Sequence, residues 1–230
     1  MRKMGGIWKK IPTTYALMWI GSLALAGVPF FAGYYSKDMI LESAFADHSW
    51  FGEFAFWLGI AAALMTAFYS ARLLFMTFHG KPRASKEVMD HIHESPPVML
   101  SPLMILATGA VFAGYFGYES FVGHHQIWGD SIQVLAANDT VAAAHHVPLW
   151  VKKLPIVMGV LGLFLGWVFY SKYISLPEKS VKIFKPFHKL FFNKWLFDEL
   201  YNKIFILPSL WFGRLFWKSD KNVVDGLGPD

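Results

Sequence analysis

"LAGVPFFAGYYSKD", residues 25–38, decides how this chain folds. The run is apolar enough to enter a bilayer, yet it holds Gly27, Pro29 and Gly33 and closes on Lys37 beside Asp38. Around it the apolar character extends from about residue 11 to about residue 46. That is far longer than the roughly 20 residues a helix rising about 1.5 Å per residue needs to cross a bilayer core. Proline removes a backbone donor, and glycine accepts conformations that other residues avoid. The three positions therefore predict a discontinuous helix, with an entering half over about residues 13–26 and a leaving half over about residues 32–46. The competing reading ends the helix near Tyr35 and leaves Lys37 and Asp38 in an interfacial loop. Against it stands the amphipathic continuation "MILESAFA", residues 39–46, which has a helical pattern.

The composition supports a bilayer setting. Of 230 residues, 55% are hydrophobic and only 16% are charged, where soluble domains carry about 25%. One soluble core cannot hide that much apolar surface. The absence of cysteine excludes disulfides, thiolate metal sites, iron-sulfur ligation and cysteine nucleophiles from this chain. A net charge of +5 is compatible with a nucleic-acid binder, but the basic residues gather at the edges of apolar runs, where membrane proteins keep them. The opening "MRKMGGIWKK" has the charge of a signal peptide; the apolar run after it is too long for one and lacks a convincing cleavage site.

No charged residue interrupts the runs from Ile11 to Ser36, Phe54 to Ala71, Ser95 to Tyr118 and Leu154 to Ser171. These predict an all-α, multi-pass transmembrane bundle over residues 1–174. Its four spans run over about 13–46 (broken), 54–79, 97–118 and 154–174. Residues 175–230 interleave apolar, aromatic and basic side chains and predict an interfacial, lateral amphipathic segment. Within it Asp198, Glu199, Lys203 and Pro208 argue against a fifth span, and Asp198 and Glu199 suit a structural anchor. Basic clusters precede the first span (Arg2, Lys3, Lys9, Lys10), join the second to the third (Lys81, Arg83, Lys86) and follow the fourth (Lys172, Lys179, Lys182, Lys185, Lys189). The positive-inside rule then puts both ends of the chain in the cytoplasm. Lys152 and Lys153, beside the connection at residues 119–153, are the exception to this pattern.

Irregular backbone survives at membrane depth only where protein or a water-filled cavity satisfies it, and broken helices mark ion and substrate sites. Lys37 and Asp38 fall on the early leaving half, where charged side chains face a bundle interior and act in proton or ion pathways. Lysine suits proton transfer because desolvation changes its proton affinity readily. Arg72 interrupts the second span; it either snorkels to the interface or pairs as a buried charge with an acidic residue. His91, His93 and Glu94, and the doublets His124-His125 and His145-His146, are spaced poorly for metal and suit loops better. Asn138-Asp139-Thr140 spells a glycosylation sequon too short to carry weight alone. No nucleophile-base arrangement, phosphate loop or dinucleotide fingerprint occurs.

Five segments in order, "MRKMGG" (1–6), "ALAGVPFFAGYYSKD" (24–38), "TAFYSARLLFMTFHGKPR" (66–83), "HESPPVMLSPLMILA" (93–107) and "FDELYNKIF" (197–205), carry a family likeness. The chain resembles the carboxy-terminal part of subunit L of proton-translocating NADH-quinone oxidoreductase, bacterial respiratory complex I, the NADH dehydrogenase subunit 5 family. The likeness covers nearly the whole chain. It implies an antiporter-like fold with broken helices, and a proton-pathway lysine, Lys37 with Asp38 beside it, on the outward side. It also implies a fragment whose residues from about 195 lead into a lateral helix, situated in a bacterial inner membrane among other membrane-arm subunits. NADH, FMN, iron-sulfur clusters and quinone are then expected in partner subunits, with no cofactor or metal on this chain. The large subunit of multisubunit cation/proton antiporters is homologous to the same family, so that assignment stays open, as does a purely structural role in the membrane arm. "FDELYNKIF" favours the respiratory subunit.

Overall fold

The computed structural model describes residues 1, 3–123, 127–132, 134–135 and 138–228. Arg2, His124 and His125, named above, lie outside them. The described residues are helical and loop-forming, with no strands, and divide into two compact units, Met1–Ile174 and Ser175–Asp230.

The first unit opens with α1 (Pro12–Ala26) and α2 (Ala32–Ala46), each 15 residues long. α1 stops at Gly27, whose φ of 75° and ψ of 35° are left-handed. The Gly27 N–H donates to the Ala24 carbonyl and the Val28 N–H to that of Leu23, both at 3.1 Å. This is a glycine-terminated Schellman ending. A turn follows, closed by the Phe31 N–H on the Val28 carbonyl at 3.2 Å. Pro29 takes its first central place, and Phe30, at φ 77°, the second, where type II turns need a positive φ. α2 then begins afresh.

Among the described residues three helices are long and apolar enough to cross a membrane: α3 (Trp50–Phe78), α5 (Pro97–Phe121), and α7 (Leu149–Trp167) with the π-helical turn that extends it to Lys172. Between them lie two short helices, α4 (Lys86–Asp90) and α6 (Thr140–Ala144). α3 starts four residues before the sequence boundary because the Ser49 hydroxyl accepts the Gly52 N–H. α7 starts five residues early and takes Lys152 and Lys153 into its first turns, where the Lys152 ammonium donates to the His145 carbonyl at 2.9 Å.

α3 and α7 run parallel and pack through small residues. Ala63, Ala67 and Ala71 are buried along α3; Gly159, Gly162 and Gly166 are buried along α7. A Cβ at Gly162 would lie 2.4 Å from the Leu64 carbonyl oxygen, and one at Gly166 2.4 Å from the Ala71 Cβ. Backbones approach this closely only where the side chains are absent, the packing mode of helices that lack a hydrophobic driving force between them.

Two apolar clusters occupy opposite ends of α3. Leu41, Phe56, Ile60 and Val151 make one. Ile7, Leu74 and Phe78, with Tyr15, Trp19 and Ile92 against them, make the other. The break between α1 and α2 lies between these layers. The Ala26 carbonyl oxygen is 3.0 Å from where a Gly159 Cβ would be, and three residues on, Gly162 lies against Leu64, midway along α3.

The second unit is a series of helices, Leu176–Ile183 (α8), Lys185–Phe192 (α9), Phe197–Tyr201 (α10), Leu207–Ser219 (α11) and Asp225–Leu227 (α12), with π-helical stretches before and after α11. Lys194, Trp195 and Leu196 have positive φ and turn the chain into α10. Asp198 pairs with Lys194 at 3.1 Å, and Glu199 shares the first turn of α10 with it, where acidic groups suit the helix dipole.

Candidate functional site at the helix break

The Lys37 side chain folds back over the end of α1. Its Cδ and Nζ are the atoms nearest to where a Gly27 Cβ would be, at 3.3 and 3.7 Å. The amine thereby reaches the carboxyl end of a helix, where the backbone dipole favours a cation. A left-handed glycine makes the ending and leaves room for the lysine. Gly33, one residue into α2, brings the two half-helices together: a Cβ there would lie 1.9 Å from the Ala24 carbonyl oxygen.

Asp38 is 7% exposed. Its Oδ2 and the Lys37 Nζ are both buried without a hydrogen-bond partner among the described residues, as are Ser70 Oγ on α3 and Trp19 Nε1 on α1. Buried polar groups in native proteins are satisfied by protein or ordered water. Lys37 Nζ and Asp38 Oδ2 lie beside the break, Ser70 Oγ lies between the two apolar clusters along α3, and Trp19 Nε1 belongs to a ring packed against the second cluster. One turn beyond Asp38, Glu42 is buried on the same face of α2 and interacts electrostatically with Asp38 and with Lys152 of α7. Tyr34 and Tyr118 lie in the field of Glu42.

At the opposite end of α1, Glu94 from the α4–α5 connection serves as a remote cap. Its Oε2 accepts the Thr13 and Thr14 N–H groups at 2.8 and 3.3 Å, and its Oε1 accepts the Thr14 hydroxyl. Ile11, at the N-cap position, offers no side-chain acceptor of its own. Burial acts to raise the Glu94 pKa, but these hydrogen bonds, with one from the Ser95 N–H, outweigh it and hold the carboxyl below the usual glutamate value. Tyr15 Oη and His79 Nε2 hydrogen-bond at 3.0 Å, Lys10 donates to the Met89 carbonyl, and its ammonium lies 3.8 Å from Asp90.

The remaining sequence candidates have local roles. Arg72 is exposed, with its guanidinium 5.6 Å from the Tyr170 ring centroid. His91 Nδ1 hydrogen-bonds the Glu87 carbonyl, and His93 Nδ1 that of Glu94. Asp139, from the sequon, caps α6 by accepting the Ala142 N–H at 2.9 Å. His145 and His146 follow α6, each N–H bonded back into it. Among the described residues no group of three or more His, Asp or Glu is placed to hold a metal. Sequence reasoning missed Glu42, whose signal was its i+4 spacing from Asp38, and the capping role of Glu94, for which a contact 80 residues away in sequence leaves no local signal.

Residues 1–75 match a family model described as NADH:quinone oxidoreductase/Mrp antiporter, transmembrane, and residues 69–126 match one described as NADH dehydrogenase subunit 5 C-terminus. NADH-quinone oxidoreductase subunit L of Rhodobacter capsulatus is 36% identical over 98% of this chain and 41% of its own length. The subunit L of Rickettsia bellii is 39% identical over 99% of this chain and 35% of its own length. NADH-ubiquinone oxidoreductase chain 5 of Phytophthora infestans is 37% identical over all of this chain and 35% of its own length. The chain thus spans little more than a third of these curated relatives. With a match to the subunit 5 carboxy-terminal model at residues 69–126 and relatives that align over nearly all of this chain, the chain belongs to the family of NADH-quinone oxidoreductase subunit L and NADH dehydrogenase subunit 5.

Proposed function

We propose that this chain forms part of the antiporter-like membrane subunit of NADH-quinone oxidoreductase and contributes the outward half of a proton pathway, with Lys37 and Asp38 as its protonatable groups. The observation that carries the reading is the burial of Lys37 Nζ and Asp38 Oδ2, without partners among the described residues, beside the break at residues 27–31. An orphaned charge in a bilayer costs about 2.5 to 3.5 kcal/mol on insertion scales and is kept for ion or proton pathways. α1 and α2, at 15 residues each, reach about 22 Å apiece, short of the roughly 30 Å of a hydrocarbon core. Joined at the break they make one discontinuous crossing. With α3, α5 and α7 this gives four spans within residues 1–174, and residues 175–230 form the interfacial, lateral segment.

In this reading the chain lies in the bacterial inner membrane with both ends cytoplasmic, against other membrane-arm subunits and lipid. NADH, FMN, the iron-sulfur clusters and quinone belong to partner subunits. A multisubunit cation/proton antiporter is the second reading, supported by the Mrp name in the first family model; the subunit 5 match and the named relatives favour the respiratory one. Lys37→Ala in the assembled complex is expected to lower proton pumping with assembly intact, read as proton uptake into inside-out vesicles during NADH oxidation. Normal pumping by that variant would remove the assignment.

A further inference from the structure

We infer that Glu42 and Lys152 extend the Lys37–Asp38 site into a polar path that leads across α2 and α7 to the connection between α6 and α7, with Glu42 as a proton carrier and Lys152 as its counter-charge. The inference rests on the proton-pathway reading above and goes beyond it by naming where the proton travels next.

Four observations carry it. Asp38 and Glu42 are separated by four residues, which stacks them on one face of α2; both are buried, and Asp38 Oδ2 has no partner. Glu42 follows Leu41, and Lys152 follows Val151; Leu41 and Val151 pack in one cluster with Phe56 and Ile60, which puts the acid and the lysine in the same layer, nearer the end of the bundle than the break is. The Lys152 ammonium donates to the His145 carbonyl at 2.9 Å, which ties it to the connection. Glu42 and Lys152 interact electrostatically, and no contact ion pair joins them among the described residues, which leaves the Glu42 carboxyl group free to exchange a proton. The path also accounts for a basic residue where the charge pattern predicts few: Lys152 neutralises a buried acid.

The step balances. The Lys37 ammonium gives a proton to the Asp38 carboxylate, leaving an amine and a carboxylic acid. Asp38 passes the proton to the Glu42 carboxylate and is restored. The Glu42 carboxyl group then yields it to water at the connection, leaving a carboxylate that the Lys152 ammonium stabilises. Lys152 keeps its own protons throughout.

The test uses the full subunit in the assembled complex, with proton uptake per NADH oxidised measured in inside-out vesicles for Lys37→Ala, Glu42→Gln, Glu42→Asp and Lys152→Met. The expected result is a loss of pumping in Glu42→Gln comparable with that in Lys37→Ala, recovery in Glu42→Asp, which restores the carboxyl group, and partial loss in Lys152→Met. Loss in Lys37→Ala with full pumping in Glu42→Gln overturns this inference and leaves the Lys37 reading intact. Loss in Glu42→Gln that Glu42→Asp does not recover also overturns it, because a packing role, unlike a proton role, gains nothing from the shorter acid. Normal pumping in Lys37→Ala removes both. Where Glu42→Gln fails to assemble, Lys152→Met decides, and unchanged pumping there overturns the inference.

Discussion

Gly33 and Gly27 make opposite demands of the same break. A methyl group at Gly33 would meet the Ala24 carbonyl oxygen at 1.9 Å, so α1 and α2 must move apart to admit it. At Gly27 the methyl meets the flexible Lys37 side chain at 3.3 Å, which can yield, but the left-handed φ of 75° remains, at about 1 to 2 kcal/mol for a non-glycine residue. Gly33→Ala should therefore sharply lower the amount of assembled complex, measured by native gel. Gly27→Ala should assemble and lose pumping as Lys37 is displaced. Equal assembly of the two variants would show that the close approach at Gly33 does not hold the half-helices. Gly27, read from the sequence as a helix breaker, ends α1 in a left-handed conformation; Gly33, read the same way, lies inside α2, where the absence of a side chain admits the Ala24 backbone, a packing role that no local pattern reveals. That Lys37 folds back onto Gly27 was not legible either, since nothing in residues 25–38 fixes which way a four-carbon side chain turns.

Among the elements, α1 depends on an acceptor that its own sequence does not supply. Glu94→Ala leaves the Thr13 and Thr14 amides unpaired and should weaken the first turn by about 1 kcal/mol, as loss of a helix cap does. Hydrogen exchange of residues 12–20 in the assembled complex should then rise about fivefold. The sign with pH follows from the lowered Glu94 pKa. The folded state holds the carboxylate more firmly than the unfolded state, so its contribution is present in full above about pH 4.5 and disappears as the pH falls through the lower folded-state value. Exchange that is unchanged in Glu94→Ala would reduce the contact to coincidence. The α3–α7 pair depends on small residues instead. Gly162→Leu drives a side chain into the Leu64 backbone and should separate the helices and lower the thermal stability of the complex, whereas Gly213→Leu, with open space around it, should not. The glycines of α7 were visible in the sequence, but their partner was not. Four apolar runs permit several pairings, and only the register of Ala63, Ala67 and Ala71 against Gly159, Gly162 and Gly166 selects this one.

For the molecule as a whole, apolar run length and basic clusters were enough to foresee helices at α3, α5 and α7, since the cost of burying charge is set by the bilayer and not by detail. The helix ends follow local bonding that run length does not register: α3 begins at Trp50 on the Ser49 cap, and α7 takes in Lys152, whose ammonium donates to the His145 carbonyl. The proposed orientation rests on the same physics and can be tested on it directly. The sequence has no cysteine, so a single introduced thiol within these residues reports its own side of the membrane. Lys86→Cys and Lys179→Cys, beside basic clusters, should react with a membrane-impermeant maleimide only in inside-out vesicles. Asn138→Cys should react in intact cells. All three positions are exposed within their units, so protection reflects the membrane and not local burial. Labelling of residues 86 and 138 from the same side would break the alternation of α3, α5 and α7, and with it the assignment of the Glu42 end of the path to the outer face. Labelling from opposite sides, with residue 138 inside, would keep the bundle and reverse the direction in which the proton leaves.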